Sequence, residues 1–171
     1  MPQQTPRRLF LALWPSEAER SAIAAAQAGV AWQPDAKLVP RENLHLTLHF
    51  LGNVDGDRLA ALRVAAAVSA APVSVTFDCF TLWHGGIAVL EPLTLPPALT
   101  ELHDALREAL IAAAFTIERR PYRPHVTLAR HGQGAVHRKP VVPITWQASS
   151  YALVESAGGR YTVLQEQLLR G

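Results

Sequence analysis

The sequence predicts an α+β protein dominated by strands. Three observations carry that expectation. Short runs of alternating or continuous apolar residues recur along the chain. Three longer segments with helical periodicity interrupt them, and no phosphate loop of the GxGxxG or GxxxxGK[ST] type follows any strand. A doubly wound parallel sheet is therefore not expected; the sheets should be mixed or antiparallel.

In chain order, "RRLFLALW" (7–14) reads as the first strand. "PSEAERSAIAAAQAG" (15–29) reads as a helix, with Ser16 as N-cap and Gly29 as C-cap. "NLHLTLHFL" (43–51) alternates as a strand, and "DGDRLAALRVAAAVSA" (55–70) is an Ala/Leu-rich helix ending before Pro72. "VSVTFDCFTLW" (73–83) and "GIAVLE" (86–91) are strands. In "PPALTELHDALREALIAAA" (96–114), Leu99, Leu102, Leu106 and Leu110 recur at spacings of three and four, the stripe of an amphipathic helix. "PHVTLAR" (124–130), "ITWQASSYALVES" (144–156) and "YTVLQEQLL" (161–169) complete the strands, and "HGQGAVHRKP" (131–140) reads as a loop.

With 171 residues, 49% hydrophobic and 18% charged, the chain is long enough to fill one core and too apolar to be disordered. No linker separates independent domains, so one domain over 1–171 is expected, made of two lobes. No apolar run is long enough for a membrane helix or a signal peptide, and a cytoplasmic monomer with no membrane contact is expected. Cys79, the only cysteine, reads as a buried small hydrophobe. Between Arg119 and Lys139 stand five arginines and one lysine, with no Asp or Glu from 119 to 154. Arginine suits forked recognition of phosphate, and the cluster points to an anionic partner.

The chemistry lies in a repeated pattern. "NLHLTLHF" (43–50) and "RPHVTLAR" (123–130) each contain His-x-Thr-Leu. Alternate side chains of a strand share a face, so His45, Thr47 and His49 should project one way and Leu44, Leu46, Leu48 and Phe50 the other. His125 and Thr127 likewise share a face, with Val126 and Leu128 behind them. Two imidazoles can serve as acid and base near neutral pH, while threonine hydroxyls donate to phosphate oxygens. His84, His103, His131 and His137 read as surface residues, and no spacing among them suits a metal.

Taken with their surroundings, these motifs resemble the tandem signature of the two-histidine (2H) phosphoesterases. "RLFLALWP", "ENLHLTLHFLG", "LWHGG", "YRPHVTLAR" and "SAGGRYTVL" occur in the order seen in bacterial and archaeal RNA 2′,3′-cyclic phosphodiesterases, first named 2′-5′ RNA ligases. The resemblance implies a bilobal α+β fold, with two pseudo-symmetric mixed or antiparallel sheets, flanking helices and a central cleft. It implies hydrolysis of RNA-terminal 2′,3′-cyclic phosphate to a 2′-phosphate with no metal or other cofactor, and a reverse 2′-5′ ligation. His45 would be the proton donor and His125 the acceptor, with Thr47 and Thr127 on the phosphate.

Arg130 matches a family arginine that also touches phosphate, although strict alternation would put it on the core face. Phe50 is a base-stacking candidate by analogy, whereas alternation assigns it to the core. His49 stands where relatives often have a basic residue that meets substrate. The expected partners are RNA ends or small cyclic nucleotides. Alternatives are the same chemistry on another cyclic or 2′-5′-linked nucleotide, a catalytically idle RNA- or nucleotide-binding module, and a zinc hydrolase.

Overall fold

The computed structural model describes residues 5–135 and 137–171. Among the described residues nine strands, all paired antiparallel, run as β1 (Arg7–Leu13), β2 (Lys37–Leu38), β3 (Leu46–Val54), β4 (Val73–Trp83), β5 (Ile87–Glu91), β6 (Val126–Arg130), β7 (Arg138–Ala148), β8 (Ser150–Ala157) and β9 (Arg160–Leu168). The helices are α1 (Glu17–Ala28), α2 (Leu59–Ala65) and α3 (Pro97–Ala112).

Helix α1 begins where the sequence placed it. The Ser16 hydroxyl accepts from the Glu19 N–H, and the Glu19 carboxylate accepts from the Ser16 N–H, a reciprocal cap of two otherwise orphaned donors. In α3, Leu99, Leu102, Leu106 and Leu110 are all fully buried, as their spacing predicts. The expected helix over 55–70 is shorter: a 3₁₀ turn at Gly56–Arg58 leads into α2, which stops at Ala65. Tertiary hydrogen bonds end it. The buried Tyr151 hydroxyl donates to the Ala66 carbonyl (2.7 Å) and accepts from the Val68 N–H (2.9 Å), holding the chain as it leaves the helix.

The sheet order is β7-β4-β5-β6-β3-β1-β8-β9, with β2 beside the end of β6. Two four-stranded halves meet at β6 and β3, where one ladder pair, Leu46 opposite Val126, joins them. The two expected sheets are thus one hydrogen-bonded sheet with a narrow seam. Each half repeats the same unit: β1-α1-β3 in one and β5-α3-β6 in the other, with the helix joining antiparallel neighbours.

The expected strand 144–156 is two strands, and the expected loop 131–140 already contains the start of β7. Only Ser149 separates β7 from β8, although six strand spacings lie between them in the sheet order. A flat sheet would put them about 29 Å apart, while that connection reaches about 7 Å at most. The sheet must curl until its two halves adjoin. One face of both halves enters a single core with the helices, including Leu11, Leu46, Phe77, Val126, Trp146 and Leu153. On the other face Phe10, Ala12, Ala152 and Val154 form a separate apolar floor.

Tyr151→Phe should lower unfolding stability by about 1–3 kcal/mol, because it leaves the Ala66 carbonyl without its donor. Urea denaturation measures the loss, and the secondary-structure signal of the folded protein should be unchanged.

Candidate active site

The seam fixes the site. In an antiparallel pair, partners directly opposite share a face, and the register runs in opposite senses on the two strands. Leu46 and Val126 are the middle residues of the two His-x-Thr motifs, and they are the residues that pair. Extending that register by one residue sets His45 against Thr127 and Thr47 against His125.

Both histidines precede their strands by one residue, and both rings are anchored alike. His45 Nδ1 donates to the Asn43 carbonyl (2.6 Å) and His125 Nδ1 to the Arg123 carbonyl (2.8 Å). This fixes the tautomer and leaves Nε2 free to face a reactant. The Thr47 hydroxyl donates to His45 Nε2 at 3.0 Å. Asn43 is itself tied to the β8–β9 hairpin, its amide donating to the Gly159 carbonyl (3.3 Å). That two-residue hairpin, Gly158–Gly159, has φ of +58° and +77°, which glycine adopts without strain.

The surroundings of the two rings differ. His45 is boxed by Phe10 (centroids 4.9 Å), Tyr161 (5.4 Å, edge-on) and Trp14 (5.6 Å, stacked). Burial holds its pKa down at about 4, and the nearby His125 and Arg20 push the same way against the Asn43 carbonyl. His125 packs against Trp83 (4.3 Å), and burial lowers its pKa too. Trp83 is pinned by buried Glu91, which accepts from its Nε1 (3.2 Å) and from Arg123 Nε (2.5 Å), while the Arg123 guanidinium covers the indole face.

Strict alternation fails after each threonine, and for the same reason. Thr47 opposes Ala12 and His49 opposes Leu11, so Leu48 is bulged out of register. Ala12 and Leu11 face opposite ways, hence Thr47 and His49 do too, which corrects the expected common face of His45, Thr47 and His49. Phe50, opposite Phe10, returns to the Thr47 face and is 41% exposed, which corrects its assignment to the core. In the second motif Thr127 opposes Val89 and Ala129 opposes Ala88, so Leu128 is the bulged residue. Arg130 thereby gains the Thr127 face and is exposed, not on the core face that alternation gives it.

His49 is buried, and its Nε2 donates to the His103 carbonyl (2.8 Å). Its ring stacks on His103 (4.1 Å), which stacks on Tyr122 (3.9 Å). His103 is thus largely covered, not the plain surface residue expected. The Tyr122 hydroxyl donates to the Thr47 carbonyl (3.2 Å), coupling this stack to the first motif. Burial holds the His49 pKa at about 4.

A cleft of about 610 Å³ has Thr47, Phe50, Trp83, Tyr122, Arg123 and His125 on its walls. A larger groove, about 750 Å³, lies between α1 and β7; its walls are mainly alanines, valines and prolines, and neither motif reaches it. Among the described residues no three His, Cys, Asp or Glu side chains converge as metal ligands. Cys79 is 3% exposed, and its sulfur accepts from Arg138 Nε at 3.4 Å. Trp14, Trp83, Tyr122, Tyr161, Arg123 and Glu91 had no role in the sequence reading. Five of them, all but Glu91, lie inside the family-like segments "RLFLALWP", "LWHGG", "YRPHVTLAR" and "SAGGRYTVL", which are the available signal.

The sequence pattern of the 2′-5′ RNA ligase superfamily matches residues 14–160. The chain belongs to the 2′-5′ RNA ligase superfamily. It is 32% identical to the RNA 2′,3′-cyclic phosphodiesterase of Escherichia coli over 96% of this chain and 97% of that one. With the enzyme of the same name from Thermus thermophilus it shares 32% identity over 96% and 91%. The match to that of Geobacillus stearothermophilus is partial, spanning 60% of this chain and 34% of the other. The crystal structure of E. coli LigT complexed with 3′-AMP superposes with a TM-score of 0.88 at 28% identity, covering 97% of this chain and 99% of LigT. The 2H phosphoesterase fold expected from the paired motifs is therefore borne out, as an antiparallel sheet with three helices.

His45 and His49 give the stability a pH dependence. Unfolded histidines protonate near 6.5 and these two near 4, so unfolding takes up protons between those values. Stability should fall as pH drops from 6.5 to 4. His49→Gln, measured by urea midpoints across that window, should show a shallower decline than the parent.

Proposed function

We propose that this protein hydrolyses an RNA-terminal 2′,3′-cyclic phosphate to a 2′-phosphate, using His45 as general acid and His125 as general base and no metal. The observation that supports the proposal is the seam register, which pairs Leu46 with Val126, the middle residues of the two His-x-Thr motifs. The names of the full-length relatives from E. coli and T. thermophilus support the same substrate class.

Thr47 and Thr127 donate to the non-bridging oxygens, and Arg130, on the Thr127 face, adds a guanidinium to the charge that develops on them. Water attacks phosphorus from the His125 side and gives that ring its proton. The bond from phosphorus to the 3′ oxygen breaks, and His45 protonates the departing oxygen. Two imidazoles, two hydroxyls and a guanidinium supply acid, base and charge stabilisation, so the scheme needs no Lewis acid.

The depressed His45 pKa fits a donor to an alkoxide. A buried imidazolium is a strong acid, and the negative phosphate supplies the charge that keeps it protonated in the complex. The aromatic faces of Trp14 and Phe10 favour the same cation. In the free protein both rings are pushed down by burial, so the bell for kcat/KM should centre on the acidic side of neutrality rather than at neutrality. The kcat bell should lie higher, because bound phosphate raises the acid. A rate climbing steadily to high pH would contradict a two-histidine mechanism.

Product analysis of an oligonucleotide ending in 2′,3′-cyclic phosphate, incubated in EDTA, should show the 2′-phosphate. Activity lost in EDTA and restored by a stoichiometric divalent ion would replace this mechanism with a metal-dependent one. His45→Ala and His125→Ala should each cost roughly 10²–10⁴-fold. With a 3′-bridging sulfur the leaving thiolate needs no proton, so His45→Ala should recover much of its rate while His125→Ala stays slow. Recovery of His125→Ala instead would exchange the two roles.

A further inference from the structure

Strand β2 holds only two residues, and its pairing with β6 sets Lys37 directly opposite Arg130. Like charges at such positions repel, and directly opposed side chains share a face. Both residues are exposed. Among the described residues neither has a carboxylate within ion-pair distance: the paired acids are Glu17, Glu91, Asp104, Glu118 and Glu155, each engaged by another base. Asp35, two residues before Lys37, makes no such pair either.

The contact is nevertheless held shut. The Val39 N–H donates to the Leu128 carbonyl (2.8 Å), and the buried Gln27 amide donates to both the Val39 carbonyl (2.9 Å) and the Leu128 carbonyl (2.8 Å). The strands cannot part, so two cationic side chains leave from opposed positions on one face with no carboxylate paired to either. The Leu128 bulge puts them on the Thr127 face, about 10 Å along β6 from that hydroxyl.

We propose that Lys37 and Arg130 form a second anion subsite, which takes the phosphodiester preceding the terminal nucleotide. This rests on the activity proposed above: a cyclic phosphate is the 3′ end of its chain, so every other phosphate of the substrate lies on its 5′ side. Arg130 is shared between the reacting phosphate and the next one, and Lys37 serves only the second. The subsite makes an RNA chain a better substrate than a mononucleotide.

The test compares a dinucleotide ending in 2′,3′-cyclic phosphate, which has one internal phosphodiester, with a nucleoside 2′,3′-cyclic phosphate, which has none. The ratio of their kcat/KM values should fall about 3–10-fold in Lys37→Ala and further in Lys37→Glu. The slope of log kcat/KM against log salt for the dinucleotide should become shallower by about 0.7 in Lys37→Ala. An unchanged ratio, or equal losses on both substrates, overturns the subsite. Because the substitution removes a repulsion, the urea midpoint of Lys37→Ala should be no lower than that of the parent. Equilibrium binding of a dinucleotide with a terminal 2′-phosphate, against a nucleoside 2′-phosphate, separates the two proposals. If the parent hydrolyses neither cyclic substrate yet Lys37→Ala selectively weakens the dinucleotide, the activity fails and the subsite stands; if binding is also unselective, the subsite fails.

Discussion

The whole arrangement depends on one ladder pair, Leu46 with Val126. Both side chains are fully buried, so the seam is fixed by core packing and not by the polar residues beside it. A slip of one residue by either strand would turn its motif over, sending an imidazole into the core and apolar side chains to the opposite face. Register here is thus specified by apolar burial, and the polar chemistry inherits it. The near two-fold relation of the two halves follows, because equivalent residues of the two motifs meet at the seam.

The bulges at Leu48 and Leu128 extend that constraint outward. Each inserts one residue after a threonine and so reverses which face the next positions take. Without them Arg130 and Phe50 would be core residues. With them, β6 gains a cation on the face of its hydroxyl and β3 gains an aromatic ring on the face of its own. The asymmetry between the halves lies in what surrounds each histidine, three aromatic rings at His45 and, at His125, an indole held by the Glu91–Arg123 ion pair. A symmetric frame therefore holds two histidine rings in unlike surroundings.

The elements legible in the sequence are those decided locally. The Ser16 cap, the leucine stripe of α3, and the strand over 73–83 follow from spacing within a few residues. The paired motifs were legible as well, because the pattern repeats. What could not be read is set by partners far along the chain. The bulges exist only relative to β1 and β5, the end of α2 depends on Tyr151, and the division of 144–156 at Ser149 depends on which half each strand joins. His103 reads as a surface residue because nothing near it in sequence shows Tyr122 or His49 on either side of its ring.

The order of strands also bears on how the chain comes to be folded. The half made of β4, β5, β6 and β7 is continuous in sequence, from Val73 to Ala148. The other half is assembled from both ends: β1 lies between β3 and β8, and β8 pairs with β9 near the C-terminus. During synthesis β1 and β3 emerge first but must wait for residues 150–168 before that half is complete. Until then β1 presents an open apolar edge, the kind of surface that invites pairing with another chain. The first histidine, though early in the sequence, acquires its Tyr161 wall and its tether through Asn43 to Gly159 only when the last strands arrive. The surroundings of the first histidine are therefore finished last, and a nascent chain carries both motifs well before their neighbours are in place.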